Sequence, residues 1–271
     1  MQALNEQRTE KILQNLQLAE FKIFSQFGDD GIIQFLINYL DFTTQTFIEF
    51  GVEDYTESNT RYLLLNNNWS GMVMDGSEEN IKKIKEESWF WRYELLAENL
   101  FVEKDNINQF IKSHGFHDEI GLLNIDVDGN DYWIWKSIEV VKPILVVMEY
   151  NSYFGSQHPW TVNYDASFIR KDYHYSYLYW GTSLLSLCDL AEEKGYSFIG
   201  CNSNGNNAYF VRNDKISGLR KLSCSEGFVM SKFRESRDAD GNLTYLMGEE
   251  RLQALSGMKI YNTRKQALET I

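Results

Sequence analysis

The segment IGLLNIDVDGNDY, residues 120–132, decides how the chain is read. Its first half is an apolar run of strand length. Its second half carries three aspartates, Asp126, Asp128 and Asp131, around Gly129. A continuous apolar run stopped by polar residues and glycine marks a strand buried on both faces. Carboxylates this dense beyond such a strand can bind a metal, attack a phosphate or hold a cofactor.

Strands of the same kind lie on either side of it. TFIEFG (46–51), SGMVMDGS (70–77) and YELLAENL (93–100) precede it, and PILVVMEY (143–150) follows. Helices are expected between them, after Ser58 as a cap, over 78–88, over 106–115 and over about 131–140. Two more helices are expected near the start, one over 4–20 with Leu4, Ile12, Leu13 and Leu16 inward, the other from Asp29 or Asp30. Thr182 or Ser183 should cap a helix closed by Gly195. YSFIGC (196–201) and NAYFVRN (207–213) flank the turn-rich SNGN and read as a hairpin. Repeated strand–helix alternation predicts an α/β fold, a mostly parallel sheet covered on both faces with one antiparallel strand from the closing hairpin.

Composition narrows the function classes. The chain has 271 residues, 15% aromatic, and a net charge of −13. Such a balance disfavours binding to nucleic acid or anionic membranes, which call for basic surface. Cys188, Cys201 and Cys224 form no CxxC pair, so neither a disulfide framework nor a zinc site is expected. The polar N-terminus and apolar runs of about six residues, against the roughly 20 of a membrane helix, lead to the expectation of a soluble cytoplasmic protein.

In open α/β sheets ligands bind at the carboxyl ends of the strands. Those ends deliver Glu49 and Gly51; Asp75, Gly76 and Ser77; Glu98 and Asn99; Asp126 and Asp128; Glu149 and Asn151. Every one carries a carboxylate. Gly51 would let a ligand approach the backbone. Asp75, at the end of the next strand, lies where an acid grips the two ribose hydroxyls of a nucleoside. GVEDYT holds one glycine rather than GxGxxG, and Glu53, Asp54 and Glu57 would repel a pyrophosphate. A positively charged nucleoside without phosphate suits the site better, and S-adenosylmethionine fits that description.

The ordered set SQFGDDGI (25–32), FIEFGV (47–52), WSGMVMDGS (69–77), LLNIDVDGNDY (122–132) and VVMEYN (146–151) resembles class I S-adenosylmethionine-dependent methyltransferases, and within them the FkbM-like group. That group shows a similar SQxGQD segment and KIDVEGAE where this chain has NIDVDGND. The likeness spans about residues 25–213. It implies a Rossmann-like seven-stranded sheet with a reversed final hairpin. It further implies that Glu49 and Gly51 lie at the methionine-binding turn, that Asp75 binds ribose, that Gly76 belongs to the cofactor site, and that Ser77 and Asn99 lie near adenine. Gln26 and Asp30 would approach the cofactor from the N-terminal segment, with Asp126 at the reacting end.

Methyl transfer to a hydroxyl needs a base or a metal to take the proton. His158, in GSQHPW, is the expected general base. Asp126, Asp128, Glu149 and Asn151 form an all-oxygen set suited to magnesium or manganese. Asp131 is expected to cap the following helix. The aromatic segment 152–180 reads as a lid over a small acceptor, such as a sugar or a nucleotide-activated sugar. Arg170, Arg234 and Arg237 are candidates to meet a phosphate on it. Residues 214–271 read as a C-terminal extension packed on the domain of 1–213, whose N-terminal helices occupy 1–42. A homodimer is compatible with all of this.

Rival readings start from DVDGN alone. It resembles the DxDGT loop of haloacid-dehalogenase phosphatases, though here it follows the fourth strand and has Asn for Thr. It also resembles the DxD manganese site of nucleotide-sugar transferases. Neither accounts for Gly51 and Asp75. A non-catalytic nucleoside-binding domain is the third alternative.

Overall fold

The computed structural model describes residues 2–271, with the side chains of residues 2–5, Leu4 among them, outside the described set. Helices α1 (Gln2–Gln14) and α2 (Asp29–Tyr39) precede the first strand. Then β1 (Thr46–Phe50), α3 (Arg61–Asn67), β2 (Ser70–Asp75), α4 (Glu78–Glu86) and β3 (Leu95–Asn99) alternate. They are followed by α5 (Ile107–Ser113), β4 (Asp118–Ile125), α6 (Asp131–Ser137) and β5 (Val141–Glu149). After β6 (Trp160–Thr161) and α7 (Arg170–Tyr173) come α8 (Leu184–Lys194), β7 (Tyr196–Cys201) and β8 (Asn207–Arg212). The chain ends through α9 (Cys224–Gly227), α10 (Glu249–Gln253), β9 (Lys259–Asn262) and β10 (Ala267–Thr270).

The seven-stranded, Rossmann-like sheet has the order β3-β2-β1-β4-β5-β8-β7, and β8 is its antiparallel member. Register follows the apolar pattern: Phe50 pairs with Met74 on one side and Ile125 on the other. Alternate side chains enter two cores, Ile48, Phe50, Leu123 and Ile125 on one face and Phe47, Val73, Leu122 and Leu145 on the other. Both faces are therefore dry, which is why the strands read as unbroken apolar runs. Strand order reverses between β1 and β4, so a crevice opens beyond their carboxyl ends.

Helix ends follow local chemistry. The Ser183 side chain accepts from Ser186 N–H, and Gly195 closes α8 at φ +83. The helix expected after Ser58 begins only at Arg61, with Ser58 Oγ accepting from Arg61 N–H at 3.2 Å. Residues 58–60 are held out of the helix because Glu49 claims them.

Residues 152–180 and the C-terminal segment share a third apolar cluster, in which Phe154, Trp160, Val162, Phe168 and Trp180 pack with Leu255 and Ile260. β9 pairs with β10 on one edge and with β6 on the other. The aromatic segment thus carries one strand of a small sheet, although its sequence shows no periodicity. Two residues of β6 are too few for alternation to register. No helix among the described residues is long and apolar enough to cross a membrane.

Candidate active site

A cavity of about 850 Å³ lies beyond the carboxyl ends of β1, β2, β4 and β5. The volume is in the upper part of the range for small-molecule sites. Its floor is Gly51, Asp75, Gly76, Asp126, Asp128 and Glu149, and Gln26 reaches it from the segment before α2. Its far wall comes from Phe168, Arg170, Lys171 and Trp180, with Ser231, Phe233 and Glu235 contributed by the C-terminal segment.

Gly51 is required by its surroundings. Its φ is +71, and a Cβ there would lie 1.6 Å from the backbone oxygen of Asp126. Only a bare Cα lets β1 and β4 approach this closely beneath the cavity.

Glu49 sits on the cavity lining, yet its carboxylate is committed to the protein. It is 3% exposed and accepts from Ser58 Oγ at 2.6 Å, Asn59 N at 3.0 Å, Thr60 N at 3.1 Å and Asn124 Nδ2 at 3.1 Å. The Thr60 hydroxyl donates to it as well. Its role is to staple the loop after β1. Burial pushes the carboxyl above its usual range, and these hydrogen bonds pull it back only in part.

Asp75 holds the loop and keeps lone pairs for a ligand. One oxygen accepts from Glu53 N at 2.9 Å, the other from Ser77 N at 2.8 Å and Asn80 Nδ2 at 3.1 Å. Two carboxylate oxygens offer about four acceptor sites, so room for a donor is left. Ser77 and Asn99 are not on the cavity. Ser77 Oγ caps α4, accepting from Asn80 N at 3.3 Å, and Asn99 Nδ2 donates to the Asp75 carbonyl at 3.0 Å. Asn80 and Phe101 line that end instead. Phe101 is exposed directly after β3, a signal the sequence carried and the strand-end reading passed over.

Asp30 turns back onto its own segment, where one oxygen accepts from the N–H groups of Ile23, Phe24 and Ser25 at 2.7, 2.7 and 2.9 Å. Asp131 lines no ligand space either. Instead of capping α6 it accepts from Val127 N at 2.8 Å and Gly129 N at 3.0 Å, pinning the loop before the helix. Burial raises its carboxyl to about 6.

Asp126 and Glu149 are neighbours on the cavity floor. Burial, then the charges of Asp128 and Asp131, raises Asp126 well above the carboxylate range. Glu149 is raised in the same way, by burial and then by Asp126. Two neighbouring, largely desolvated carboxyls resist ionising together, so the pair holds a proton more firmly than either group would alone.

The expected metal set is not brought together. Asn151 is buried, its Oδ1 accepting from Tyr153 N at 3.0 Å and its Nδ2 donating to the Leu178 and Trp180 carbonyls at 3.0 Å each. Asp128 pairs with Arg170 at 2.9 Å. Among the described residues no group of three or more His, Cys, Asp or Glu could hold an ion. These residues do not fit a divalent cation.

His158, the expected base, is exposed and stacks on Trp160 with ring centroids 4.0 Å apart, off the cavity. Arg170 is the one candidate arginine on the cavity wall, lying over the Trp180 ring. Arg234 and Arg237 instead lie over Tyr245 and Tyr177.

The carboxyl pair makes stability pH-dependent, with a definite sign. Both folded-state pKa values lie above those of the unfolded chain, so the native state holds protons the unfolded state releases. Their contribution is complete below about pH 4 and is lost as pH rises through the folded values. Asp131 adds a loss of the same sign that ends near pH 6. Urea unfolding should show stability falling from mild acid to neutrality, and the fall should be shallower in the Asp126→Asn/Glu149→Gln double variant. Parallel slopes in the two proteins would refute the pairing.

No protein-family model matches the chain, and no curated protein does. Several solved structures are similar to it. One is an S-adenosylmethionine-dependent methyltransferase from Clostridium acetobutylicum, at 12% identity over 68% of this chain and 89% of that one, TM-score 0.43. Another is the N-terminal domain of EvdMO1 in the presence of SAH and D-fucose, at 11% over 78% and 95%, TM-score 0.41. A third is an O-methyltransferase from Bacillus cereus in complex with SAH, at 14% over 76% and 91%, TM-score 0.39.

Proposed function

We propose that the protein is an S-adenosylmethionine-dependent methyltransferase acting on a small polar acceptor. The observation that carries the reading is the cavity at the β1–β4 switch point, with the bare backbone of Gly51 on one side and Asp75 on the other. A nucleoside laid across the ends of β1 and β2 would give its ribose hydroxyls to the remaining lone pairs of Asp75. Phe101, beside Gly76, offers a flat face to the base. When bound, S-adenosylmethionine supplies a methyl group on a positively charged sulfur. A lining of eight carboxylates and two cations attracts that charge and repels phosphate.

The acidic lining acts on the acceptor as well. An unphosphorylated sugar fits better than a nucleotide-activated one, and the phosphatase and nucleotide-sugar transferase readings fit worst. The resemblance to the FkbM-like group favours a sugar. Asp126 and Glu149, on the floor beside Gly51, take the place expected of His158 as the group that accepts the acceptor's proton. Their raised affinity for protons makes them better bases than ordinary carboxylates.

Isothermal titration with S-adenosylmethionine and with S-adenosylhomocysteine tests the reading. Both should bind, and Asp75→Ala should weaken both by roughly tenfold to a hundredfold, the loss of hydrogen bonds to a charged group. No heat at millimolar ligand would sink it.

A further inference from the structure

We propose that the acceptor is a cationic amine, an aminosugar or similar polyol amine, held by Asp126 and Glu149 and methylated on nitrogen. The inference rests on the methyl-transfer reading above and names its substrate class.

The first observation is a mismatch between acceptors and donors. Glu149 Oε2 is buried and has no hydrogen-bond donor. Asn130, 4% exposed on the same cavity wall, has used its Nδ2 on the Asp165 carbonyl at 2.8 Å and leaves its Oδ1 without a partner. Beside Glu149 stands the second carboxyl, Asp126, on the cavity that Asn130 also lines. Buried acceptors left unpaired are costly, and native interiors rarely keep them unless a ligand completes them. A hydroxyl brings one proton. An alkylammonium brings three N–H donors and a charge, which matches three oxygen-bearing groups of which two are carboxyls.

The second observation is electrostatic. Of the two cations on the wall, Arg170 is already engaged by Asp128 at 2.9 Å and by Glu235 at 3.7 Å. Neither cation forms an ion pair with Asp126 or Glu149. The floor therefore keeps an excess of negative charge that a neutral sugar would leave uncompensated and an ammonium would neutralise.

The chemistry balances with the groups present. One N–H proton of the bound ammonium passes to the carboxylate of the pair, freeing the nitrogen lone pair. That lone pair attacks the methyl carbon; the N–C bond forms as the C–S bond breaks, and its electron pair stays on sulfur as the thioether. The product leaves as a methylammonium, and the carboxyl proton goes to solvent. The cofactor's own ammonium is the other cation that could occupy the pair, and the experiment separates the two.

The full-length chain, saturated with S-adenosylhomocysteine, is titrated with hexoses and with the corresponding 2-, 3- and 4-aminohexoses. At least one aminohexose should bind tenfold or more tightly than its parent sugar. Glu149→Gln should erase that preference while changing S-adenosylmethionine affinity less than threefold. Asp126→Asn should behave likewise if the first variant melts early. With S-adenosylmethionine present, product NMR should place the new methyl on nitrogen. Equal binding of sugar and aminosugar, or a methyl on oxygen, overturns the proposal. So does a parallel loss of cofactor affinity in Glu149→Gln, which would assign the pair to the cofactor's ammonium. If S-adenosylhomocysteine itself fails to bind, the methyl-transfer reading falls first.

Discussion

Gly51→Ala is expected to cost about 3 kcal/mol of stability and to abolish cofactor binding. Two terms add. A side chain at φ +71 is strained by about 1–2 kcal/mol. The new methyl also meets the Asp126 carbonyl oxygen at 1.6 Å, a backbone atom that no rotamer change can move. Relief requires the ends of β1 and β4 to part, where Phe50 pairs with Ile125, and that displaces Asp126 from the floor. Gly115→Ala is the control, since Gly115 has φ +84 with nothing within 4 Å. It should show the backbone strain alone and leave ligand binding intact. Urea unfolding and calorimetry on both variants check the pair. Equal losses in the two would show that contact with Asp126 carries no weight.

Glu49→Ala should cost at least as much stability, about 3–5 kcal/mol, although the carboxylate is committed to the protein and not to a ligand. Removing the carboxylate orphans the buried backbone N–H of Asn59 and the Asn124 amide, and leaves Thr60 N–H with only Ser58 Oγ at 3.1 Å. Each unsatisfied buried donor costs about 1–3 kcal/mol, and the truncation also leaves a void. Glu49→Gln should recover part of the loss, because one oxygen remains while the new amide faces donors. Denaturant midpoints rank the three proteins. A Glu49→Ala midpoint within error of wild type would mean that water replaces the carboxylate, and the staple would lose its meaning.

Glu49 also shows where reading by residue order stops. Its place at the end of a buried strand was legible, and so was its proximity to the cavity. Its partners, Ser58, Thr60 and Asn124, lie 9, 11 and 75 residues away. Asn151 went the same way, with its amide taken by carbonyls 27 and 29 residues on. His158 was placed by sequence order after β5, but β6 turns it outward onto Trp160. The C-terminal segment showed no strand of useful length, so its part in the cavity through Ser231, Phe233 and Glu235 left no sequence signal.

The sequence by itself determined the sheet, its closing hairpin and the carboxylate at each strand end. Dry strands and glycine stops are local properties written in consecutive residues. Only the tertiary structure decided which of those carboxylates remain available. A buried carboxylate is claimed by whichever donors folding brings within about 3 Å, and those donors come from distant parts of the chain. In IGLLNIDVDGNDY the outcome is a division of labour: Asp131 holds its loop, Asp128 pairs with Arg170, and Asp126 stays on the cavity floor beside Glu149.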